Sequence, residues 1–204
     1  MTQNKVIGVT GITGSGTSTV SSILANLGGF IINADKIAHE VMRKGGAAYD
    51  KIIETFGINI ITPVGEIDRK KLGTIVFNNP EKLAALESII HPQVILKTRE
   101  LLAEAENHPF AVIDAPLLIE SGMHEMCTSV WLVTTPDDVR LARIMARDGI
   151  DLETATRRLK SRAGDDTLRP YAHVVIKNDA DIDSLKEQIM HHYSSIPERN
   201  PSRT

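Results

Sequence analysis

Five short runs of apolar, mostly β-branched residues are spaced along the chain, and each is continuously apolar rather than alternating with polar positions. Strands of this kind are buried on both faces, which is typical of a parallel sheet covered by helices on each side. The runs therefore predict five strands, at residues 5–10, 29–34, 110–115, 130–135 and 173–178.

Two segments that directly follow predicted strands are predicted to be helices. Residues 18–28 and 136–149 each stop at a glycine, Gly28 or Gly149, and glycine is common just past the end of a helix. Strands that alternate with helices define an α/β fold. We therefore predict a three-layer architecture built on a five-stranded parallel sheet.

The interval between the second and third predicted strands is too long for one crossover connection. Its segments are mostly helical by periodicity, so we predict a helical insertion at residues 35–95 over the end of the sheet where such folds bind ligands. The core would then comprise residues 1–34 and 96–204. The polar tail at residues 194–204 contains prolines and is predicted to be frayed.

The composition narrows the classes of function. A formal net charge of −3 over 204 residues does not suggest nucleic-acid binding. No apolar run approaches the roughly 18 residues that span a membrane, and the N-terminal residues lack the features of a signal peptide. Cys127 is the only cysteine, which excludes an intrachain disulfide and a cysteine metal cluster. We expect a cytoplasmic protein without nucleic-acid or membrane partners.

A glycine-rich segment, GITGSGTST at residues 11–19, follows the first predicted strand and opens the first predicted helix. A phosphate-binding loop requires this order of strand, loop and helix. Gly11, Gly14 and Gly16 would let backbone N–H groups approach a phosphate, and the helix N-terminus adds partial positive charge. Ser18 stands where such loops place the hydroxyl ligand of Mg²⁺. The alternative is a glycine-rich turn without a ligand.

Position 17 is where a phosphate-binding loop usually has lysine, and here it is Thr17. The lysine supplies a point charge to the β- and γ-phosphates, which threonine cannot do. Phosphate binding through the backbone and Mg²⁺ would remain possible, but we expect slower transfer unless another cation compensates. Arginines elsewhere in the chain could supply that charge.

Two aspartates follow predicted strands. Asp35 comes just after the second strand and could accept a proton from an attacking hydroxyl, or it could be the N-cap of a helix at residues 36–44. Asp114 ends the third strand, where a carboxylate can hold Mg²⁺ through water, or it could be an ordinary turn residue. The pattern leaves both pairs of alternatives open.

Arg140, Arg143 and Arg147 are spaced by three and four residues, so they share one face of the predicted helix at 136–149. A second basic segment adds Arg157, Arg158, Lys160 and Arg162. Together they predict a helical lid at residues 138–165 that closes over a triphosphate. A solvated charged face is the alternative.

These motifs together resemble the dephospho-coenzyme A kinase family from about residue 5 to residue 192. The resemblance includes IGVTGITGSGTSTV at the loop, INADKIAHEV after the second strand, GEIDRKKLGTIVF and LESIIHPQV in the insertion, VIDAPLLIESG, RIMARDGID in the lid, and HVVIKN. The resemblance implies a P-loop NTPase-type fold with a helical substrate-binding insertion and a helical lid.

The resemblance also implies the activity and its cofactors, namely transfer of phosphate from ATP, with Mg²⁺, to the ribose 3′-hydroxyl of dephospho-coenzyme A. By the resemblance, Mg²⁺ would be held by Ser18, and the position of Asp114 at the end of the third strand adds it as the second ligand. Asp35 would be the base, and Arg143 or, preferably, Arg147 would reach the transferred phosphoryl from the lid. ATP would lie along Gly14, Ser15, Gly16, Thr17, Ser18 and Thr19.

Three further residues take roles from the resemblance. Arg69 and His91 would lie on the coenzyme A side, although His91 could instead be a structural histidine before Pro92. Asn178 would lie near the adenine, although it could be a helix cap or turn residue. The protein would be a monomer or a small homo-oligomer.

The chain departs from the family pattern at three places: Thr17, Asn33 (usually aspartate) and His173 (often aspartate). Two other functions therefore stay open. One is a weakened or inactive relative that binds nucleotide or coenzyme A, and the other is a kinase of a different nucleoside or nucleotide.

Overall fold

A computed structural model describes residues 5–77, 79–160 and 164–196 of the chain, excluding the side chains of Arg158 and Lys160. Residues 161–163 of the predicted lid, including Arg162, and residues 197–204 of the predicted tail lie outside the described residues. Within the described residues, no helix is long and apolar enough to cross a membrane.

The five predicted strands are confirmed, as is the α/β fold class. They form one parallel sheet in the order β2-β3-β1-β4-β5. The strands are β1 Lys5–Thr10, β2 Phe30–Asn33, β3 Phe110–Asp114, β4 Ser129–Thr134 and β5 Val174–Lys177.

Helices fill the intervals between the strands. The α-helices are α1 Thr17–Asn26, α2 Ala34–Val41, α3 Tyr49–Phe56, α4 Arg69–Val76, α5 Pro80–Glu104, α6 Asp137–Asp148, α7 Leu152–Lys160, α8 Asp165–Leu168 and α9 Ile182–Ser194. Short 3₁₀ helices span Ile58–Ile60, Ala105–Asn107, Met123–Met126 and Arg169–Tyr171.

The chain divides into two compact units, which are described separately. Unit 1 comprises Met1–Ile32 and Leu102–Thr204, and unit 2 comprises Asn33–Leu101. The predicted assignment of residues 35–95 to coenzyme A binding stays a prediction.

The core of unit 1 explains why its strands are continuously apolar. One cluster joins strand residues such as Ile7 and Trp131 to Leu24 of α1 and Ile189 of α9, all fully buried. A second, smaller cluster is built around Leu132 of β4 with Ile12 and Leu168. Since successive side chains of a strand point to opposite faces, Trp131 and Leu132 show that β4 is covered on both faces.

Candidate functional site: a phosphate-binding loop

The segment between β1 and α1 has the backbone geometry of a tight loop leading into a helix. Gly14 and Gly16 have φ values of 85° and 92°, a left-handed region that favours glycine. The loop is closed by a hydrogen bond of 3.0 Å from the Ser15 N–H to the Ile12 carbonyl. Gly16 is the N-cap of α1 and has no side chain to cap the first-turn N–H groups. The Thr19 N–H donates to the Gly16 carbonyl at 3.0 Å, so the N–H groups of Thr17 and Ser18 are the ones that an anion could bind.

The carbonyl oxygen of Ser15 accepts hydrogen bonds from residues that are distant in the chain. The Asn178 Nδ2 group donates at 2.8 Å, the Thr135 hydroxyl lies at 3.0 Å, and Arg143 Nη1 donates at 3.4 Å. Asn178 and Thr135 are buried, with 7% and 5% of their surfaces exposed. A Cβ at Gly16 would collide with Asn178 Nδ2, so this packing also requires glycine at position 16.

Arg143 binds the loop rather than extending away from it. Its guanidinium donates to the carbonyls of Gly14 at 3.3 Å and Asn178 at 3.2 Å, and to the Thr135 hydroxyl at 3.3 Å.

Asn178 is not a helix cap: the Asp181 carboxylate caps α9 by accepting from the backbone N–H groups of Asp183 and Ser184. The helix-cap alternative for Asn178 is therefore wrong, and the turn alternative stays open.

The other two arginines on this face of α6 are in ion pairs. Arg140 is buried and pairs with Asp137 and, at 3.8 Å, with Asp165. Burial raises the pKa of the Asp165 carboxyl, against the lowering effect of the nearby Arg140 charge. Arg147 is exposed and forms two hydrogen bonds, of 2.7 and 3.0 Å, with Asp148.

The predicted ligands of Mg²⁺ are oxygen donors, which this cation prefers. Ser18 is exposed in the first turn of α1, and Asp114 is buried at the end of β3, where it pairs in register with Val9 of β1. Residues 5–77, 79–160 and 164–196 contain no group of three His, Cys, Asp or Glu that could hold a metal by itself. A hydroxyl and one carboxylate still suit Mg²⁺, which usually takes its remaining ligands from phosphates and water.

In unit 2, Asp35 is exposed in the first turn of α2 and is not its N-cap. The cap is Asn33, whose side-chain oxygen accepts from the Lys36 N–H at 2.9 Å. The alternative of Asp35 as a cap is therefore wrong. The departure at Asn33 has a structural explanation, because asparagine and aspartate are equally good caps.

His39 was missed by sequence reasoning. Its Nδ1 lies 3.4 Å from Arg69 Nη1, and since arginine can only donate, the imidazole accepts there in its neutral form. Burial and the charges of Arg69 and Arg43 lower the pKa of His39, and the Asp35 charge opposes them. The available signal was the spacing from Asp35 to His39, four residues on one helix.

Two more histidines complete the account of the predicted positions. His91 is half-buried within α5, directly before Pro92. The imidazole at His173 has a structural partner: its Nδ1 accepts from the Val130 backbone N–H at 3.0 Å. The backbone N–H of His173 donates to the Val130 carbonyl at 2.9 Å. An aspartate could also accept there, so the departure is mild.

The structure thus brings the loop, Arg143 and Asn178 together in unit 1. Asp114 and Arg147 also belong to unit 1. The other predicted site residues lie in unit 2: Asp35, Arg69 and His91. A loop of this geometry between the first strand of a parallel sheet and a helix is typical of the P-loop class of nucleotide-binding proteins.

Comparisons with known proteins identify the family within this class. The family described as dephospho-CoA kinase matches residues 5–184. The dephospho-CoA kinase of Carboxydothermus hydrogenoformans is 43% identical over 187 residues, which cover 91% of each chain. The chain belongs to the dephospho-CoA kinase family.

Solved structures agree with this assignment. A dephospho-CoA kinase from Campylobacter jejuni is 32% identical and superposes with a TM-score of 0.60, over 94% of this chain and 97% of that one. A Thermus thermophilus protein is 27% identical with a TM-score of 0.81, over 96% and 99% of the two chains.

Proposed function

We propose that this kinase transfers the γ-phosphoryl of ATP to the ribose 3′-hydroxyl of dephospho-coenzyme A, giving coenzyme A and ADP. One observation carries the proposal: a phosphate-binding loop with an uncapped helix N-terminus, in a chain that matches this family over residues 5–184. Catalysis would come mainly from positioning and electrostatics, as in other phosphoryl transfers.

The nucleotide would lie on the loop, from Gly14 to Thr19. Backbone N–H groups of the first turn of α1 would bind its phosphates. Ser18 and Asp114 would hold Mg²⁺, which supplies neutralisation of the phosphate charge. Asn178 Nδ2 has a second hydrogen besides the one donated to Ser15, so the predicted contact with adenine remains compatible with its place.

On the acceptor side, Asp35 would orient and deprotonate the hydroxyl, and Arg69 and His91 would bind dephospho-coenzyme A. Arg147 would reach the transferred phosphoryl. Its pair with Asp148 is exposed on the arginine side, and exposed pairs contribute only about 0–1 kcal/mol. Releasing Arg147 therefore costs little. A cytoplasmic location, and a monomer or small homo-oligomer, complete the proposal.

Asp35→Asn tests the assignment of the base. It keeps the shape of the side chain and removes its basicity, so we expect turnover to fall by about 10²–10⁴-fold with unchanged ATP affinity. Asp50→Asn is the matched control, because Asp50 is also an exposed acid in the first turn of a helix of unit 2. Equal losses of turnover and ATP binding would remove Asp35 from the chemistry.

The assay measures ADP release with ATP, Mg²⁺ and dephospho-coenzyme A, beside a panel of nucleosides and nucleotides. Release that depends on dephospho-coenzyme A supports the proposal. If ADP is released only with another acceptor, that acceptor is the substrate instead. ATP binding without ADP release in the presence of any acceptor would indicate a binding protein.

A further inference from the structure

The Ser15–Gly16 peptide is oriented from one side by side chains from three different parts of unit 1. Asn178 follows β5, Thr135 follows β4, and Arg143 lies in α6. The Asn178 amide and the Arg143 guanidinium donate to the Ser15 carbonyl, and the single hydroxyl hydrogen of Thr135 is shared between the carbonyls of Ser15 and Asn178, both at 3.0 Å. A carbonyl oxygen has two lone pairs, so this acceptor is fully used. The direction of the peptide is therefore determined by the fold of unit 1.

This orientation has a consequence for the next N–H group. The described residues contain no cis peptide bond, and in a trans peptide the C=O and N–H bonds point in opposite directions. Since the Ser15 carbonyl points at Asn178, Thr135 and Arg143, the Gly16 N–H points away from them. It belongs to the set of N–H groups at the start of α1 that bind phosphate in the proposed function.

The charge of Arg143 sets it apart from its neighbours on α6. Arg140 and Arg147 are paired with aspartates, whereas every hydrogen bond recorded for Arg143 goes to a neutral oxygen. Among the described residues, no carboxylate within 4.0 Å is recorded for its guanidinium. Within the described residues its positive charge is therefore not neutralised by an ion pair, and the guanidinium lies against the loop at Gly14 and Ser15.

We propose that Arg143 supplies, through the Ser15–Gly16 peptide, the positive charge that the loop lacks at Thr17, and that Thr135 and Asn178 are positioning residues for that peptide. The Arg143 N–H, the Ser15 carbonyl and the Gly16 N–H form a chain of dipoles that ends at the phosphate. Hydrogen bonds in such a chain polarise one another. The inference rests on the proposed function only in that the loop binds the phosphates of ATP.

A double-mutant cycle between positions 143 and 17 tests the inference. The readout is the dissociation constant of ATP with Mg²⁺, measured by calorimetry without any acceptor. In the Thr17 background, Arg143→Gln should weaken ATP binding about 10–100-fold, the usual effect of losing a charged hydrogen-bond donor. In the Thr17→Lys background, the same change should cost at least about fivefold less, because lysine then supplies the charge. Equal losses in both backgrounds would overturn the inference.

Asn178→Leu is the control for geometry without charge. It removes the side-chain amide that donates to the Ser15 carbonyl and keeps the backbone carbonyl of residue 178, to which Arg143 donates, so ATP binding should weaken by the same factor in both backgrounds. Rescue of Asn178→Leu by Thr17→Lys would show that lysine tightens any damaged loop, and would overturn the assignment of charge to Arg143.

Arg143→Lys keeps the inference testable if the glutamine variant fails to fold. This variant retains the charge, so in the Thr17 background it should bind ATP within about fivefold of the unsubstituted chain, against the 10–100-fold loss expected for glutamine. If Arg143→Lys weakened ATP binding as much as Arg143→Gln does, the inference would be overturned.

The two proposals fail separately. Coupling between positions 143 and 17 in ATP binding, without turnover of dephospho-coenzyme A, would overturn the proposed function alone. Turnover of that substrate with independent effects at positions 143 and 17 would overturn the inference alone.

Discussion

At the scale of single residues, His39 shows how local charges control one protonation state. Its imidazole accepts a hydrogen bond from Arg69, and burial together with the charges of Arg69 and Arg43 lowers its pKa below the ordinary value of 6.5. Asp35 is the group that acts in the opposite direction. The folded chain therefore binds a proton at His39 less readily than the unfolded chain.

The expected result is a pH dependence of stability that His39→Gln removes. As the pH falls through 6.5 towards the lowered pKa, the unfolded state takes up more protons, so the free energy of unfolding decreases. Well above 6.5, both states are neutral at His39 and the effect vanishes. Because the His39 side chain is mostly exposed and only partly desolvated, the change should be small. Urea unfolding at several pH values measures it, and identical slopes in both proteins would contradict the prediction.

At the scale of secondary-structure elements, the start of α2 depends on a residue that departs from the family pattern. Asn33 ends β2 and caps α2 through the Lys36 N–H. Asn33→Ala should lower the free energy of unfolding by about 0.5–2 kcal/mol, because one first-turn N–H group loses its acceptor. Thermal or urea unfolding measures this loss.

Asn33→Asp is the matched control for the cap of α2. Aspartate caps as well as asparagine, so the stability should stay within about 0.5 kcal/mol of the unsubstituted chain. An alanine variant as stable as the aspartate variant would show that the cap contributes nothing. A loss in both variants would show that the amide group itself is required.

At the scale of the whole molecule, binding at the loop should stabilise the entire fold. A ligand at 100 times its dissociation constant adds about 2.7 kcal/mol to the free energy of unfolding, which raises Tm by roughly 5–10 °C for a chain of this size. Trp131 is the only tryptophan and is fully buried, so its fluorescence reports unfolding. We expect this shift of Tm with ATP and Mg²⁺.

Gly16→Ala should abolish this stabilisation, because its Cβ would collide with Asn178 Nδ2 at a φ of 92°. Gly122→Ala is the control: Gly122 also has a positive φ, of 75°, but a Cβ there would meet nothing within 4 Å. Gly122→Ala should lower the free energy of unfolding by about 1–2 kcal/mol through backbone strain alone. It should keep the increase of Tm on nucleotide binding. A full shift in the Gly16 variant would contradict the assigned site.

The sequence by itself determined the elements and the class of protein. Continuous apolar runs predicted the strands, since consecutive residues of β1, β3 and β4 are buried, which means that both faces of these strands are covered. Glycines predicted the loop before α1 and the end of α6, because these signals act over a few residues. The motif order identified the family, and the family match confirms it.

The tertiary structure alone decided what surrounds the loop. Thr135, Arg143 and Asn178 lie 120, 128 and 163 positions from Ser15 in the chain. They meet because β4 pairs with β1 and β5 pairs with β4, and the carboxyl ends of parallel strands share one edge of a sheet. Strand order depends on the packing of the whole sheet, so no local pattern could show that Arg143 binds the loop while Arg140 and Arg147, on the same helix face, pair with aspartates.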